Sequence, residues 1–479
     1  MISRRILNIV TSIGLGGIAV ISAMFGCGGS SQLDIMDTRG DSGYEPGIPN
    51  FDMEAIPRWH EDDPGIDLSV SILKASLIFV RAENGYSASV MTEVQVYDQE
   101  TEDLVAEEVW TDTMVATTYA QTQLFETRLT TRRIPVAPGK YIIQVTLRDT
   151  NSDKKARRRR QIKVLDLTSD TIMLSQIQIE SWRKGSPPAP AMKFHIPSTF
   201  DSLRCFLTLH NASGAQKTSV EIVLQRFLHD TSVAVPPYAF SPMIGTLDYR
   251  GISYDRVDTI QVRSQTIETL DQETPIEFFF SSLGKGLYFI HVTVHITGIS
   301  PGGDEGGLNG SRGFAIMGHS FPRLTTLDDL IEPLVYIVRE GELDSIRVAK
   351  TGIDKRRRFD SFWLSLAENK QSATNLIKQY YNRIEEANLY FTGYKEGWKT
   401  DRGMIYVVLG PPISIQYGID FEVWHYSNVD QDQLTTYVFK RITLVEGNLP
   451  FDNYVLDRRS YYDQGWLNAI ARWRRGVTF

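Results

Sequence analysis

Tyr394-Lys-Glu-Gly-Trp-Lys-Thr-Asp-Arg-Gly-Met-Ile-Tyr-Val-Val-Leu-Gly-Pro-Pro412, followed closely by Phe421-Glu-Val-Trp-His-Tyr426, is the densest run of turn residues, aromatic anchors and charges in the 479-residue chain. Gly397 and Gly403 bracket a polar loop, Ile405 to Leu409 are apolar on both faces as a buried strand requires, and Gly410-Pro411-Pro412 cannot continue a strand. This predicts a turn, a central strand and a hard stop. Trp398 would bury about 150–250 Å² and pin the loop. Thr400 and Asp401 would bond backbone amides of the turn, Gly403 would take a positive φ, and Arg402 would pair with Asp401 or Glu422.

Upstream the period is helical. Phe359, Phe362, Trp363 and Leu366 fall at i, i+3, i+4 and i+7, and Leu376, Ile377, Tyr380, Ile384, Ala387 and Phe391 continue one stripe, with Ser372 or Thr374 as its cap. Downstream, Ile413 to Tyr417, Phe421 to Tyr426 and Thr435 to Leu444 read with Met404 to Leu409 as strands of a small antiparallel sheet. Residues 323–479 therefore form an α+β domain. Its last segment, from Ser460, carries Trp466 and Trp473 beside Arg472, Arg474 and Arg475 and reads as an amphipathic helix, either docked on the body or contacting a partner or membrane.

Gly397, Trp398, Thr400 and Asp401 match in full the motif for which the GWxTD domain is named, and the region resembles that family, found in envelope proteins of Bacteroidetes, Chlorobi and their relatives. Phe359-Asp-Ser-Phe-Trp363 and Tyr381-Asn-Arg-Ile-Glu-Glu-Ala-Asn388 are similar to its helical elements. The family's Asp-Pro connection after the tryptophan is replaced here by Leu364 to Thr374. The resemblance implies an envelope address and no particular activity.

Residues 67–168 are rich in β-branched and aromatic side chains with turn signals at strand spacing. Asn84-Gly85 reads as the centre of a hairpin turn, Pro138-Gly139 opens Tyr141 to Leu147, and Gln161 to Leu165 closes the set. Residues 169–322 repeat the scheme. Gly139-Lys-Tyr-Ile-Ile-Gln-Val-Thr146 aligns without gaps on Gly286-Leu-Tyr-Phe-Ile-His-Val-Thr293. The tyrosines would sink their rings in the core and return their hydroxyls to backbone at a corner. The fold class is therefore multidomain: two immunoglobulin-like all-β sandwiches, then the α+β domain. Arg157 to Arg160 reads as a solvated edge strand rather than an anion site, because at most two of the four share a face. His291 and His295, about 13 Å apart on a strand, are too distant to share a metal. Ser300 to Ser311 reads as a glycine-rich loop without the acid spacing of a calcium site.

With 42% hydrophobic and 23% charged residues the chain is globular in composition. Residues 1–26 read as an export signal, with Arg4 and Arg5 ahead of the apolar run Ile6 to Phe25. Gly26-Cys27 resembles a bacterial lipobox, so Cys27 is the expected site of acylation, and residues 27–66 would be a polar tether. Loss of Arg4 and Arg5 with that leader takes the net charge from −8 to −10, which argues against nucleic acid as a partner. Cys205, the other cysteine, lies in Leu203 to Leu209, where odd positions alternate inward; it reads as a core residue with no disulfide partner.

Phosphate loops, nucleophile elbows, His-Glu-x-x-His and Cys-x-x-Cys are absent from the sequence; no metal or cofactor is expected. Asp401, Glu422 and His425, with Arg402 and Asp360 nearby, are the remaining candidates for acid–base chemistry on a glycosidic bond. Against that stand structural roles for Gly397, Trp398, Thr400, Asp401, Arg402, Gly403, Gly410 and Pro411. The favoured expectation is a lipid-anchored envelope protein, most readily of the outer membrane, acting as a non-catalytic binding or assembly module toward an envelope protein or glycan. The alternative is a hydrolase of cell-wall or surface glycan. A solvent-open cleft joining Asp401, Glu422 and His425 would favour the enzyme, and a buried, paired cluster the scaffold.

Overall fold

The computed structural model describes residues 47–477, apart from 61–62, 167–171, 186, 192–194, 211–216, 240–251, 269–272, 298–307, 418–420, 429–432 and 443–452. The expected leader, Cys27 and the first part of the expected tether lie outside these. The rest of that tether does not stay open: β1 (Phe51–His60) pairs antiparallel with β2 (Asp63–Leu73) from Phe51↔Ile72 to His60↔Asp63. Phe51, Met53 and Ala55 alternate inward. Three apolar residues between acids, cut short by Pro57, are too brief an alternation to stand out in sequence.

Next come β3 (Val80–Ala82), β4 (Gly85–Asp98), β5 (Leu104–Ala116), the single turn α1 (Tyr119–Thr122), β6 (Thr127–Pro135), β7 (Gly139–Asp149) and β8 (Lys155–Val164). Ala82 pairs with Gly85, so the hairpin turn is Glu83-Asn84, one place earlier than expected, with Gly85 at φ +134°. Sheet β1-β2-β6 packs on sheet β5-β4-β7-β8, with β3 beside the start of β4. Leu68, Val70 and Ile72 from the first meet Val90, Val94, Ile143 and Val145 from the second.

The second sandwich runs β9 (Met173–Leu174), β10 (Gln178–Trp182), β11 (Ala189–Pro190), β12 (His195–Pro197), β13 (Ser202–His210), β14 (Lys217–His229), β15 (Ile252–Ile267), β16 (Glu273–Ser281), β17 (Gly286–Thr297) and β18 (Leu308–Met317). Its wiring repeats the first: β10-β13-β16 answers β1-β2-β6, and β15-β14-β17-β18 answers β5-β4-β7-β8. The aligned tyrosines make the same corner, Tyr141 Oη donating to Ala137 O at 2.8 Å and Tyr288 Oη to Gly284 O at 2.7 Å. Each closes its loop four residues back. Leu203, Cys205, Leu207 and Leu209 all face the core, and burial pushes the Cys205 thiol up to about 12. Leu308 to Ser311, expected in the glycine-rich loop, belong to β18; most of that loop lies outside the described residues. No metal-binding group of His, Cys, Asp or Glu occurs among the described residues.

The C-terminal domain holds α2 (Leu327–Ile331), α3 (Glu342–Arg347), α4 (Gly352–Ser365), α5 (Lys370–Phe391), α6 (Asp401–Leu409), sheet β19 (Ser414–Tyr417), β20 (Phe421–Asn428), β21 (Gln433–Ile442) and β22 (Asn453–Leu456), and α7 (Tyr462–Arg474). Asn369, not Ser372 or Thr374, caps α5 by accepting from Ser372 N at 2.9 Å. The larger correction is Met404 to Leu409, expected as a strand and found as helix α6. A run that is apolar all round suits a buried strand or a buried helix equally, and here α5, α7 and the sheet enclose it. Trp363, Tyr380, Trp424, Trp466 and Trp473 are fully buried in this core. No helix among the described residues is long and apolar enough to cross a membrane.

Candidate functional site

The quoted stretch folds as a single 3₁₀ turn, Gly397–Lys399, leading into α6. Its glycines answer to close approach: a Cβ on Gly397 would stand 1.8 Å from Ala387 O, and one on Gly403 would stand 1.9 Å from Gly397 O. Neither residue has positive φ, contrary to the expectation for Gly403; the positive value is at Gly410, φ +86°, where α6 ends. Thr400 is the N-cap, its Oγ1 accepting from Gly403 N at 3.1 Å and donating to Gly397 O at 2.7 Å. Trp398 is 4% exposed. Its N donates to Asn388 Oδ1 at 3.3 Å, and its carbonyl accepts from Tyr336 Oη at 2.7 Å.

Asp401 opens α6, where the helix dipole favours a negative charge. Its carboxylate accepts from Leu456 N at 2.8 Å and from both terminal nitrogens of Arg458 at 3.0 and 2.5 Å. Arg402 does not pair with its neighbour. It donates to Glu422 Oε1 at 3.2 Å and lies over Phe391 and Tyr454, 5.3 and 4.3 Å from the ring centres. Glu422 Oε2 accepts from Trp424 Nε1 at 3.0 Å. Glu422 and Trp424 are buried, while His425, the next residue on β20, faces the other side of the sheet. Asp360 is remote in role, pairing with Arg356 on the exposed face of α4. The structure therefore does not bring Asp401, Glu422 and His425 to one cleft.

What the turn does meet is an arm of the second sandwich, residues 230–238 after β14. Ala234 N donates to Lys399 O at 3.0 Å, Arg459 N to Pro237 O at 3.3 Å, and Arg458 Nη2 to Val235 O at 3.1 Å. Lys395 Nζ bonds Asp230 Oδ2 at 2.8 Å and Ser232 O at 2.9 Å. Glu396 is held between Lys399, at 2.7 Å, and Lys285. Val233 and Ala234 pack on the C-terminal core, and Tyr394 joins Leu287, Ala315 and Met317 of the sandwich. Burial alone would raise the Glu396 and Asp230 carboxyls, but Lys285 and Lys399 beside the first, and Lys395 with Ser232 beside the second, outweigh it and hold both below the usual range. Burial pushes the Tyr336 phenol well up. Arg458, Glu396, Lys395 and the arm were missed in sequence. The one available signal was Val233-Ala-Val-Pro-Pro237, an apolar run closed by two prolines just after a long strand.

Residues 305–475 match the family model of the GWxTD domain. The chain carries a GWxTD domain. No curated protein matches the chain. Among solved structures it is similar to the transglutaminase of red sea bream, at 7% identity over 56% of this chain and 31% of that one, with TM-score 0.17. It is likewise similar to the β-glucuronidase of Parabacteroides merdae, at 10% identity over 52% of this chain and 28% of that one, with TM-score 0.18. The chain spans less than a third of either protein, and likenesses at those scores carry no argument.

The GWxTD motif is thus a joint. Its glycines let α5, the turn and α6 touch backbone to backbone, its tryptophan fills the space beneath, its threonine caps α6, and its aspartate orients Arg458 toward the arm. The Asp401 carboxylate is engaged by an amide and by both ends of a guanidinium. A shallow groove on the outer face of the GWxTD sheet is lined by Phe421, Val423, Val438, Lys440 and Arg441. Neither Asp401 nor Glu422 lines it.

Proposed function

We propose that the protein is a lipid-anchored component of the cell envelope, most readily of the outer membrane, that binds or assembles with other envelope components without catalysis. The observation that carries this reading is the occupation of the motif's ionisable groups: Asp401 is engaged by Arg458 and Leu456, and Glu422 by Arg402 and Trp424. The motif's remaining contacts join the domain to the second sandwich, as a scaffold's would. The envelope address is supported by the apolar leader ending in Gly26-Cys27.

Carboxylates with structural duties and carboxylates with catalytic duties respond oppositely to neutralisation. Structural ones leave a buried guanidinium unpaired when neutralised, costing about 3–5 kcal/mol, whereas catalytic ones are often held at a cost in stability. Asp401→Asn and Glu422→Gln should therefore both lower the melting temperature of the protein. A Glu422→Gln protein that melts like the parent yet has lost a measurable glycan-cleaving activity would overturn the proposal.

A further inference from the structure

The second sheet of the first sandwich carries a polar ladder from one edge to the other. On its outer face Arg159, Gln144, Gln95 and Glu107 stand in one row across β8, β7, β4 and β5. Arg159 Nε donates to Gln144 Oε1 at 2.7 Å, Gln144 Nε2 to Gln95 Oε1 at 3.0 Å, and Gln95 Nε2 to Glu107 Oε1 at 3.0 Å. Every donor points the same way, so the row begins in a cation on one edge strand and ends in an anion on the other.

The two edges differ throughout their length. β5 and the turn before it carry Glu100, Glu102, Asp103, Glu107, Glu108 and Asp112 with no lysine or arginine. β5 also exposes Leu104, Val105, Val109 and Val115, the last 72% accessible. A long strand with apolar side chains in water and one unpaired backbone edge is a template for another strand. β8 is basic, with Lys155, Arg157, Arg159 and Lys163 exposed. Among the described residues the backbone ladder of β5 runs only to β4 and that of β8 only to β7, while the side chains of Arg158 and Arg160 on β8 reach Phe51 and Met53 of β1 in the facing sheet.

We infer that the β5 edge of one copy docks on the β8 edge of a second copy of this chain, extending the sheet head to tail. Neighbouring strands in β5-β4-β7-β8 are all antiparallel, so the outermost two run oppositely. A copy displaced along the sheet then lays its β5 antiparallel to β8, the pairing with the better-directed hydrogen bonds, and brings its Glu107 beside Arg159 in the same row. Like edges repel: two β8 strands would face arginine with arginine, and two β5 strands acid with acid. A contact between different surfaces does not close on itself as a dyad does, and sheet twist winds it into an open, helical series.

Sedimentation velocity of the detergent-solubilised full chain tests this. The expected result is a species distribution that grows with protein concentration and shrinks in high salt. Glu107→Lys and Arg159→Glu each place like charges across the contact and should weaken association about tenfold. An equimolar mixture of the two variants should recover it, because the lysine introduced on β5 of one then meets the glutamate introduced on β8 of the other, while the unaltered edges meet each other. Both side chains are exposed, so unchanged melting of each variant will show that neither loss is one of folding. A chain monomeric at all concentrations, a dimer that does not grow, or a mixture that fails to recover would overturn the inference. Asp401→Asn should leave this association unchanged, which separates a failure here from a failure of the GWxTD reading.

Discussion

Gly403 sits inside a helix, where replacing glycine by alanine ordinarily stabilises by about 1 kcal/mol. Here the added methyl would stand 1.9 Å from Gly397 O, and backbone cannot yield as a flexible side chain can. Gly403→Ala should therefore reverse the usual sign and destabilise by about 1–3 kcal/mol, the cost of overpacking, read from denaturant unfolding. A stabilised variant would show that α6 and the turn have room to separate. The sequence suggested the motif's residues as structural pins; in the fold Trp398 is buried and Thr400 caps α6. Arg458, the partner of Asp401, was not legible in sequence: it lies 57 positions away, and nothing local marks it among the arginines of that region.

At the scale of elements, the joint between the arm and the turn is charged. Asp230 pairs with Lys395, and Glu396 with Lys399 and Lys285. Both carboxyls are held below their ordinary values in the folded chain. The stability they contribute is complete above those values, about 3.9 and 4.3, and is lost as pH falls through the lowered folded ones. Glu385 and Glu386 on α5 oppose this, since burial raises both, and their contribution is present in acid and lost as pH rises. The comparison must therefore be with a variant. Asp230→Asn/Glu396→Gln should lose stability relative to the parent at pH 6 and converge on it below about pH 4, as followed by thermal melts. A difference that persists unchanged in acid would remove the carboxylates from the joint.

For the molecule as a whole, the contacts are unevenly shared. The first sandwich reaches the second through Glu54 with Arg312 at 3.2 Å and Arg58 with Gln178 at 2.8 Å, and it meets the start of the C-terminal domain where Arg323 lies over Phe125. The second sandwich and the GWxTD domain share the arm, the salt bridges and the Tyr394 cluster. A fragment 47–166 should melt cooperatively by itself, whereas 323–477 alone should melt well below 172–477, with the arm's removal as the cause. Equal melting of the GWxTD domain in both of those fragments would show the arm to be dispensable. At the other end of the chain, Cys27→Ser should move the protein from the membrane fraction to a soluble one. Retention after a high-salt wash would sink the lipid anchor.

The alternation of apolar residues and the turn signals were enough to announce two β-rich domains, because period-2 patterning and glycine or proline punctuation act over a few residues. The echo of Tyr141 in Tyr288 was likewise visible, since each corner is closed within four residues. Helical spacing around Trp363 and Tyr380 gave the C-terminal domain its class. Tertiary structure alone decided that Met404 to Leu409 is a helix, because an all-apolar run has no period to read and its state follows from what encloses it. It alone made Phe51–His60 a strand, through pairing with β2, and set Asp401 and Glu422, candidates of the alternative reading, in separate ion pairs with His425 on the other face of its strand. Charges find their partners across tens of residues in space, and no local spacing encodes which carboxylate an arginine will meet.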